Sequence, residues 1–338
     1  MARFLARRAA TALVVLLGVS LITFMLARVV PADPAASYVG QHARPAQIEQ
    51  AREQLGLDRP LLEQYWTYLT DVASGDWGTS IGTKRPVLQE IGDRFPATLE
   101  LLLAAIAIAT VLGIVLGVVA ARHRGRWIDT TLRLFGTGGI SVPAFWLGLV
   151  FQIVFAHKLG LLPPTGRYAS DLQFTAPLTD VTGFVLVDSA VTGNVAVFRS
   201  AVEHMLLPAL TLAAYPTGVI ARMVRASMLE TLGQDYVRAA RAYGVSERVV
   251  LWRIALRNAL PPATTVLGLT LAYLLTGAFF VEVVFNWPGL GQFTADALLS
   301  SDYPAIMGVT LLGAVGYILV NLAVDLVQAR LDPRVRLA

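Results

Sequence analysis

One pattern in this chain makes a nucleophile in other settings: Gly78-Thr-Ser80-Ile-Gly82, with G-x-S-x-G spacing. That spacing activates a serine only at a strand-to-helix turn above a sheet, with a histidine and an acid in reach. Here it lies in a short polar loop of a chain whose other patterns are helical. Ser80 therefore reads as a turn residue, and a hydrolase is a distant reading. The four histidines, at 42, 123, 157 and 204, form no H-x-x-x-H or H-E-x-x-H pair, so no metal or hydrolytic site is signalled. The stretch from Gly78 to Lys84 lacks the Gly-Lys-Ser/Thr ending of a phosphate-binding loop, so the chain is not expected to bind ATP itself. With no cysteine there is no disulfide framework or thiol chemistry. A proton or ion relay needs ionisable groups inside a membrane span. Glu100, Glu282 and Asp325 fall near the ends of apolar runs, where their side chains are expected to reach water. That disfavours a self-sufficient ion-coupled transporter.

What remains is a polar, arginine-rich interruption between two apolar runs, residues 235–258. Its pattern is two short helices broken at Gly244. Asp235 is placed to cap or favour the first helix, because a carboxylate is stabilised at a helix N-terminus. Gly244 takes the left-handed conformation that ends a helix more cheaply than any residue with a Cβ. Ser246 is expected to cap the second helix, and Val249, Val250 and Trp252 give it an apolar side. So long a structured segment between spans reads as a docking surface for a soluble partner. An ordinary inner loop is the plainer alternative.

The elements around it are apolar. Of 338 residues, 55% are hydrophobic and 15% charged, and the mean hydropathy of +0.61 is too high for an ordinary soluble domain. Six spans are expected near residues 9–30, 97–121, 132–155, 205–224, 260–284 and 305–328. The fourth is the weakest, since Pro208 and Pro216 interrupt it; neighbouring helices can satisfy the carbonyls that a proline frees. The N-terminal run resembles a secretory signal. From 9 to 30 it covers about 33 Å at ~1.5 Å per residue, enough to cross a bilayer, so it is expected to remain as the first span. With the N-terminus inside, 17 of the 27 basic residues fall inside, from Arg3, Arg7 and Arg8 through the arginines of 122–133 and 222–257 to Arg330, Arg334 and Arg336. Both termini are therefore expected in the cytoplasm. The same basic loops account for the pI of about 9.5 without nucleic acid.

The outer loops carry structure of their own. Residues 47–55 and 61–71 read as helices, and Trp66 and Tyr68 are placed to rest on lipid headgroups. Gly113-Ile-Val-Leu-Gly117 is a small-xxx-small pattern that lets another backbone approach closely, within the subunit or between subunits. The division expected is 1–96 (first span and long extracytoplasmic loop), 97–328 (five-helix core with the segment at about 235–258) and 329–338 (cytoplasmic tail).

The spacing Ala239-Ala240-x3-Gly244-x9-Ile254 resembles the EAA signature of ABC-importer permeases, with Arg238 where the signature has glutamate. Other matches follow the chain in order. Pro31-Ala-Asp-Pro34 resembles the family's Gly-Asp-Pro, departing at Ala32. Leu55-Gly-Leu-Asp-Arg-Pro60, Gly75-Asp-Trp-Gly-Thr-Ser80, Ser141-Val-Pro-Ala-Phe-Trp-Leu-Gly148, Leu161-Leu-Pro-Pro-Thr-Gly166, Trp287-Pro-Gly-Leu-Gly291 and Asp332-Pro-Arg-Val-Arg336 are similar to family patterns. Together they resemble the B-type subunit of the dipeptide/oligopeptide (nickel) permease branch.

The resemblance implies an all-α membrane protein with the type I ABC-importer permease fold, in a bacterial inner or plasma membrane. It implies a paralogous C-type permease subunit, two ATP-binding subunits inside and a substrate-binding protein outside. ATP and magnesium would sit on the ATPases, with no cofactor on this chain. Arg238, Ala239, Ala240, Arg241, Gly244, Val245 and Ser246 would form the coupling helix that meets one ATPase. Peptides would be the cargo, with nickel or glutathione as sister readings.

Overall fold

The computed structural model describes residues 2–29, 34–39, 43–54 and 56–331. Most of the Pro31-Ala-Asp-Pro34 motif, Leu55, His42 and the Asp332-Pro-Arg-Val-Arg336 motif lie outside these residues. The described chain is helical. Its only β feature among the described residues is an isolated bridge between Thr79 and Pro86.

In chain order the helices are α1 (Ala2–Val29), α2 (Pro34–Val39), α3 (Pro45–Gln54), α4 (Leu61–Ser74), α5 (Val87–Arg122), α6 (Trp127–Ser141) and α7 (Ala144–Phe151). A π-helical turn, Gln152–Lys158, extends α7. Then come α8 (Leu172–Thr175), α9 (Val185–Val191), α10 (Val195–Leu232), α11 (Asp235–Ala242) and α12 (Glu247–Val249). A second π turn, Val250–Ala255, leads into α13 (Leu256–Val284), followed by α14 (Leu290–Leu299) and α15 (Tyr303–Leu331).

Each expected span falls on a helix, but not always as drawn. Among the described residues four helices are long and apolar enough to cross a membrane: α1, α5, α10 and α15. The third expected span is broken, because α6 and the α7 segment meet at 111°. The physical cause is Pro143, which pushes the residue before it out of the helical region; Val142 is extended, at φ −92 and ψ 128. Counted as one span, the bent pair makes five. The fifth expected span lies on α13, a 29-residue helix whose Tyr273–Val284 part is a shorter apolar stretch. Pro208 and Pro216 sit inside the continuous 38-residue α10.

The chain divides into two compact units. The first comprises residues 1–96 and 289–319. In it α4 lies against α1: the Tyr65 ring is 5.3 Å from the fully buried Phe24, and its hydroxyl is 2.8 Å from Ser20 Oγ. Trp66 is exposed as expected, but Tyr68 turns inward and stacks on Phe24 at 5.9 Å. Burying one more aromatic face outweighed the headgroup position anticipated for Tyr68. A small core joins Val87 and Ile91 to Leu290, Phe293, Ala297 and Ala305.

The second unit comprises residues 97–288 and 320–338. Its core is built on α10, which packs on α13, α6, α9 and α7. Glycines allow the closest approaches. A Cβ on Gly113 would stand 2.7 Å from the Ile220 side chain, and one on Gly117 would stand 2.7 Å from Val224 and 2.8 Å from the Ala221 carbonyl oxygen. The small-xxx-small pattern is thus used inside the subunit, between α5 and α10.

Two acids differ from expectation. Glu100 and Glu282 are buried rather than water-facing. Burial of a carboxylate requires compensating donors, and Glu100 has them: Arg167 at 2.6 Å and the Leu186 amide at 2.8 Å. Sequence position near a span end does not show that a loop will fold back and cover it. Trp287 closes the same unit by donating its indole N–H to the Ala97 carbonyl at 2.8 Å.

Candidate functional site

The segment after α10 begins with a two-residue turn, Gly233 and Gln234, and then α11. Gln234, not Asp235, is the N-cap, and it makes no side-chain capping bond. Asp235 sits in the first turn, where its charge suits the helix dipole, and it pairs with Arg238 one turn on. Only Val237 of α11 is buried. Tyr236, Arg238, Ala239, Arg241 and Ala242 face outward, and Ala240 is half-buried.

Gly244 stops the helix as anticipated. Its φ is +77, and a Cβ there would meet nothing within 4 Å. The requirement is therefore one of backbone conformation and not of space. The Val245 amide donates to the Ala240 carbonyl at 3.1 Å and the Gly244 amide to the Arg241 carbonyl at 3.0 Å. These two bonds form a Schellman motif, which satisfies carbonyls that a helix end would otherwise leave open. Arg241 then reaches over the turn and grips Glu247 through two bonds, of 2.9 and 3.2 Å. That hydrogen bond with Glu247 raises the Arg241 pKa above its ordinary value.

Ser246 occupies the N-cap of α12 in an extended conformation, but its hydroxyl makes no capping bond; its carbonyl accepts from the Val249 and Val250 amides instead. The apolar side of the second helix also differs from expectation. Val250, Leu251 and Ala255 are buried, while Val249 and Trp252 are exposed. The π turn at Val250–Ala255 widens the helix by a residue per turn, which rotates the buried face away from the simple helical period. Leu251 and Ala255 belong to the core of the second unit. The segment is thus an exposed helix and turn held rigidly between α10 and α13, with Arg238, Arg241, Arg248, Arg253 and Arg257 on its exposed residues.

A second arrangement in this unit carried no sequence signal. Asp129, in the first turn of α6, is almost fully buried. It accepts from Arg225 of α10 at 2.7 and 2.8 Å and from the Gly125 amide at 3.0 Å. This fork ties the loop after α5 to the last turns of α10, immediately before the exposed segment.

Among the described residues Ser80 has no histidine for a partner. Its hydroxyl donates to Asp302 at 2.5 Å and accepts from the Thr83 amide at 3.0 Å. Asp302 also takes the Gly82 and Ala305 amides. The serine pins a turn. The described histidines are engaged elsewhere or exposed: His123 contacts the Val119 carbonyl at 2.9 Å and His204 the Ser200 carbonyl at 2.7 Å.

Comparison with known proteins agrees with this architecture. Residues 113–337 match the family described as binding-protein-dependent transport system inner membrane component, and residues 1–102 match the corresponding N-terminal family. The probable D,D-dipeptide transport system permease protein DdpB of Escherichia coli (strain K12) is 46% identical, over 95% of this chain and 94% of that protein. The dipeptide transport system permease protein DppB of the same strain is 42% identical, over 99% of each. The glutathione transport system permease protein GsiC of Escherichia coli O1:K1 is 39% identical, over 94% of each.

Proposed function

The chain belongs to the family of binding-protein-dependent transport system inner membrane components, and from that premise we propose that its exposed segment, residues 235–258, is the surface on which a separate ATPase subunit acts. The protein is a multi-pass permease subunit of the bacterial inner membrane, without an ATPase site of its own. An importer of this family works with ATPase and substrate-binding-protein partners.

The observation that carries the proposal is the mounting of α11. The helix is exposed along most of its length, closed by a Schellman turn, and joined by a two-residue turn to α10 and, through α12 and the π turn, to α13, two helices that pack on each other. A push on α11 is delivered to α10 and α13 as rigid bodies, because packed helices have discrete arrangements and little compliance. ATP binding to the partner and substrate binding outside would each bias one of two packings. Arg238, Ala239, Ala240, Arg241, Gly244, Val245 and Ser246 form the contact; ATP and magnesium remain on the ATPases. In the full assembly this subunit pairs with a paralogous C-type permease and two ATP-binding subunits, with both termini of this chain cytoplasmic. The N-terminal 96 residues form the outer part, 97–328 the moving core and 329–338 a cytoplasmic tail.

The cargo is a di- or oligopeptide, a reading supported by relatives named for dipeptide transport over nearly their whole length. Glutathione is the second reading, on the strength of one relative.

Gly244→Ile tests the contact. A β-branched residue in the left-handed region costs about 1–2 kcal/mol, which re-forms the turn without any core clash. ATP-dependent peptide uptake by the reconstituted complex should fall several-fold with insertion intact, and Gly244→Asn, which tolerates that region, should retain most of it. Unchanged uptake in Gly244→Ile sinks the assignment. The same preparation, offered dipeptide and glutathione in turn, decides the cargo.

A further inference from the structure

The first unit holds a cavity of about 480 Å³. It lies where two spanning helices end. Arg28 is in the last turn of α1, and Pro304, Met307 and Leu311 are in the first turns of α15. Its walls differ in chemistry. Arg28 lies over the Phe24 ring at 5.7 Å, and among the described residues it meets no carboxylate at ion-pair distance. Opposite charges line the same space: Glu53, Asp71 and Asp76, none of them in an ion pair among the described residues.

Gln64, 8% exposed, lines the same cavity. Its Nε2 donates to the Leu57 and Arg59 carbonyls at 3.3 and 2.8 Å. That fixes which amide atom is the oxygen. Oε1 is left buried with no donor, an arrangement proteins seldom leave unfilled. A ligand that completes the site must bring an anion for Arg28 and N–H donors for Gln64 Oε1 and Asp71 on one short frame. That is a zwitterion with a primary ammonium. The Val72, Met307 and Leu311 side of the cavity is apolar, and α1 exposes Ile22 and Leu26 to the surroundings. A molecule whose charged end enters here therefore carries hydrocarbon with it, at the depth where headgroups meet acyl chains.

We propose that this cavity binds the phosphoethanolamine headgroup of a bilayer phospholipid, with phosphate on Arg28 and ammonium on Gln64 Oε1 and Asp71. Arginine suits the phosphate because its planar fork matches the oxygens. The ammonium contact discriminates: a trimethylated choline headgroup has the same charge but no N–H to donate, and phosphatidylglycerol has no cation.

The test uses the full-length chain with its partner subunits, placed in nanodiscs of phosphatidylethanolamine mixed equally with phosphatidylcholine or with phosphatidylglycerol. Lipid retained after gentle release is counted by native mass spectrometry. Phosphatidylethanolamine should be retained about tenfold over either competitor, the equivalent of one good polar contact. Arg28→Gln and Gln64→Leu should abolish the preference. Asp71→Asn, an exposed position that folding tolerates, should reduce it. Equal retention of the lipids by the native chain, a preference unchanged in the variants that fold, or displacement of the lipid by free dialanine would each overturn the proposal, the last by assigning the site to a free peptide.

Discussion

The Asp129–Arg225 fork allows a quantitative test of how α10 is held. Asp129 has a side chain 2% exposed and takes three short bonds, two from Arg225 and one from the Gly125 amide. Arg133 stands farther off, at 3.7 Å. Arg225→Met removes two of the three bonds and leaves a buried charge with one amide and a distant guanidinium. Breaking a buried pair from one side costs about 3–5 kcal/mol; Arg133 offsets part of this, which puts the change at the lower end. Asp129→Leu leaves Arg225, 22% exposed, able to turn toward water, so roughly 2 kcal/mol is expected, part of it from the orphaned Gly125 amide. The double variant Asp129→Leu/Arg225→Met leaves no buried charge. It should cost about as much as the milder single change, because apolar replacement of a buried pair is often neutral. The coupling is then about 3 kcal/mol. Thermal unfolding of the purified assembly should show Arg225→Met melting about 5–10 °C lower, with the double variant above it. Strict additivity, with the double variant lowest, would refute the reasoning that the fork acts as one unit.

Other predictions follow from single contacts. Gly117→Val places a Cβ under 3 Å from Val224 and the Ala221 carbonyl; overpacking should cost about 1–3 kcal/mol or more and lower the yield of folded protein, measured by monodisperse recovery in detergent. Ser80→Ala should cost about 1 kcal/mol through the lost bond to Asp302, yet leave uptake per folded molecule unchanged, as assayed in proteoliposomes. Asp188 is buried, which pushes its carboxyl up, but donation from the Thr182 hydroxyl and the Thr182, Val181 and Gly183 amides outweighs burial and holds it below the usual carboxylate range. A group depressed in the folded state stabilises above its unfolded pKa, about 3.9, and that stability is lost as pH falls through the folded value. Melting temperature should therefore drop on acidification below about pH 4, and Asp188→Asn should flatten that part of the profile.

Much of this protein was legible before any coordinates. Hydrophobic runs placed the helical regions on which the six expected spans fall, the third of them broken at Pro143, since span length and apolarity are local properties of the chain. Turn chemistry placed the stop at Gly244, because a left-handed residue after a helix is a backbone preference that one residue expresses by itself. The Ala-Ala-x3-Gly spacing and the ordered outer motifs pointed to the permease family that the comparisons show.

Only the tertiary structure decided where the charges went. Glu100 found Arg167, Asp129 found Arg225 and Ser80 found Asp302, pairs separated by 67, 96 and 222 residues. Neither member of such a pair carries a local mark of the other. The bend at Pro143 had a local cause, but its 111° angle is a property of the packed helices. The π turns after α7 and α12 had no visible pattern at all, and around the second of them Val250 is buried as expected while Leu251 and Ala255 take the buried places expected of Val249 and Trp252. Local periodicity determines that a segment is a helix and which residues are apolar. Which of those residues is buried, and which acid loses its water, depends on what long-range packing brings alongside.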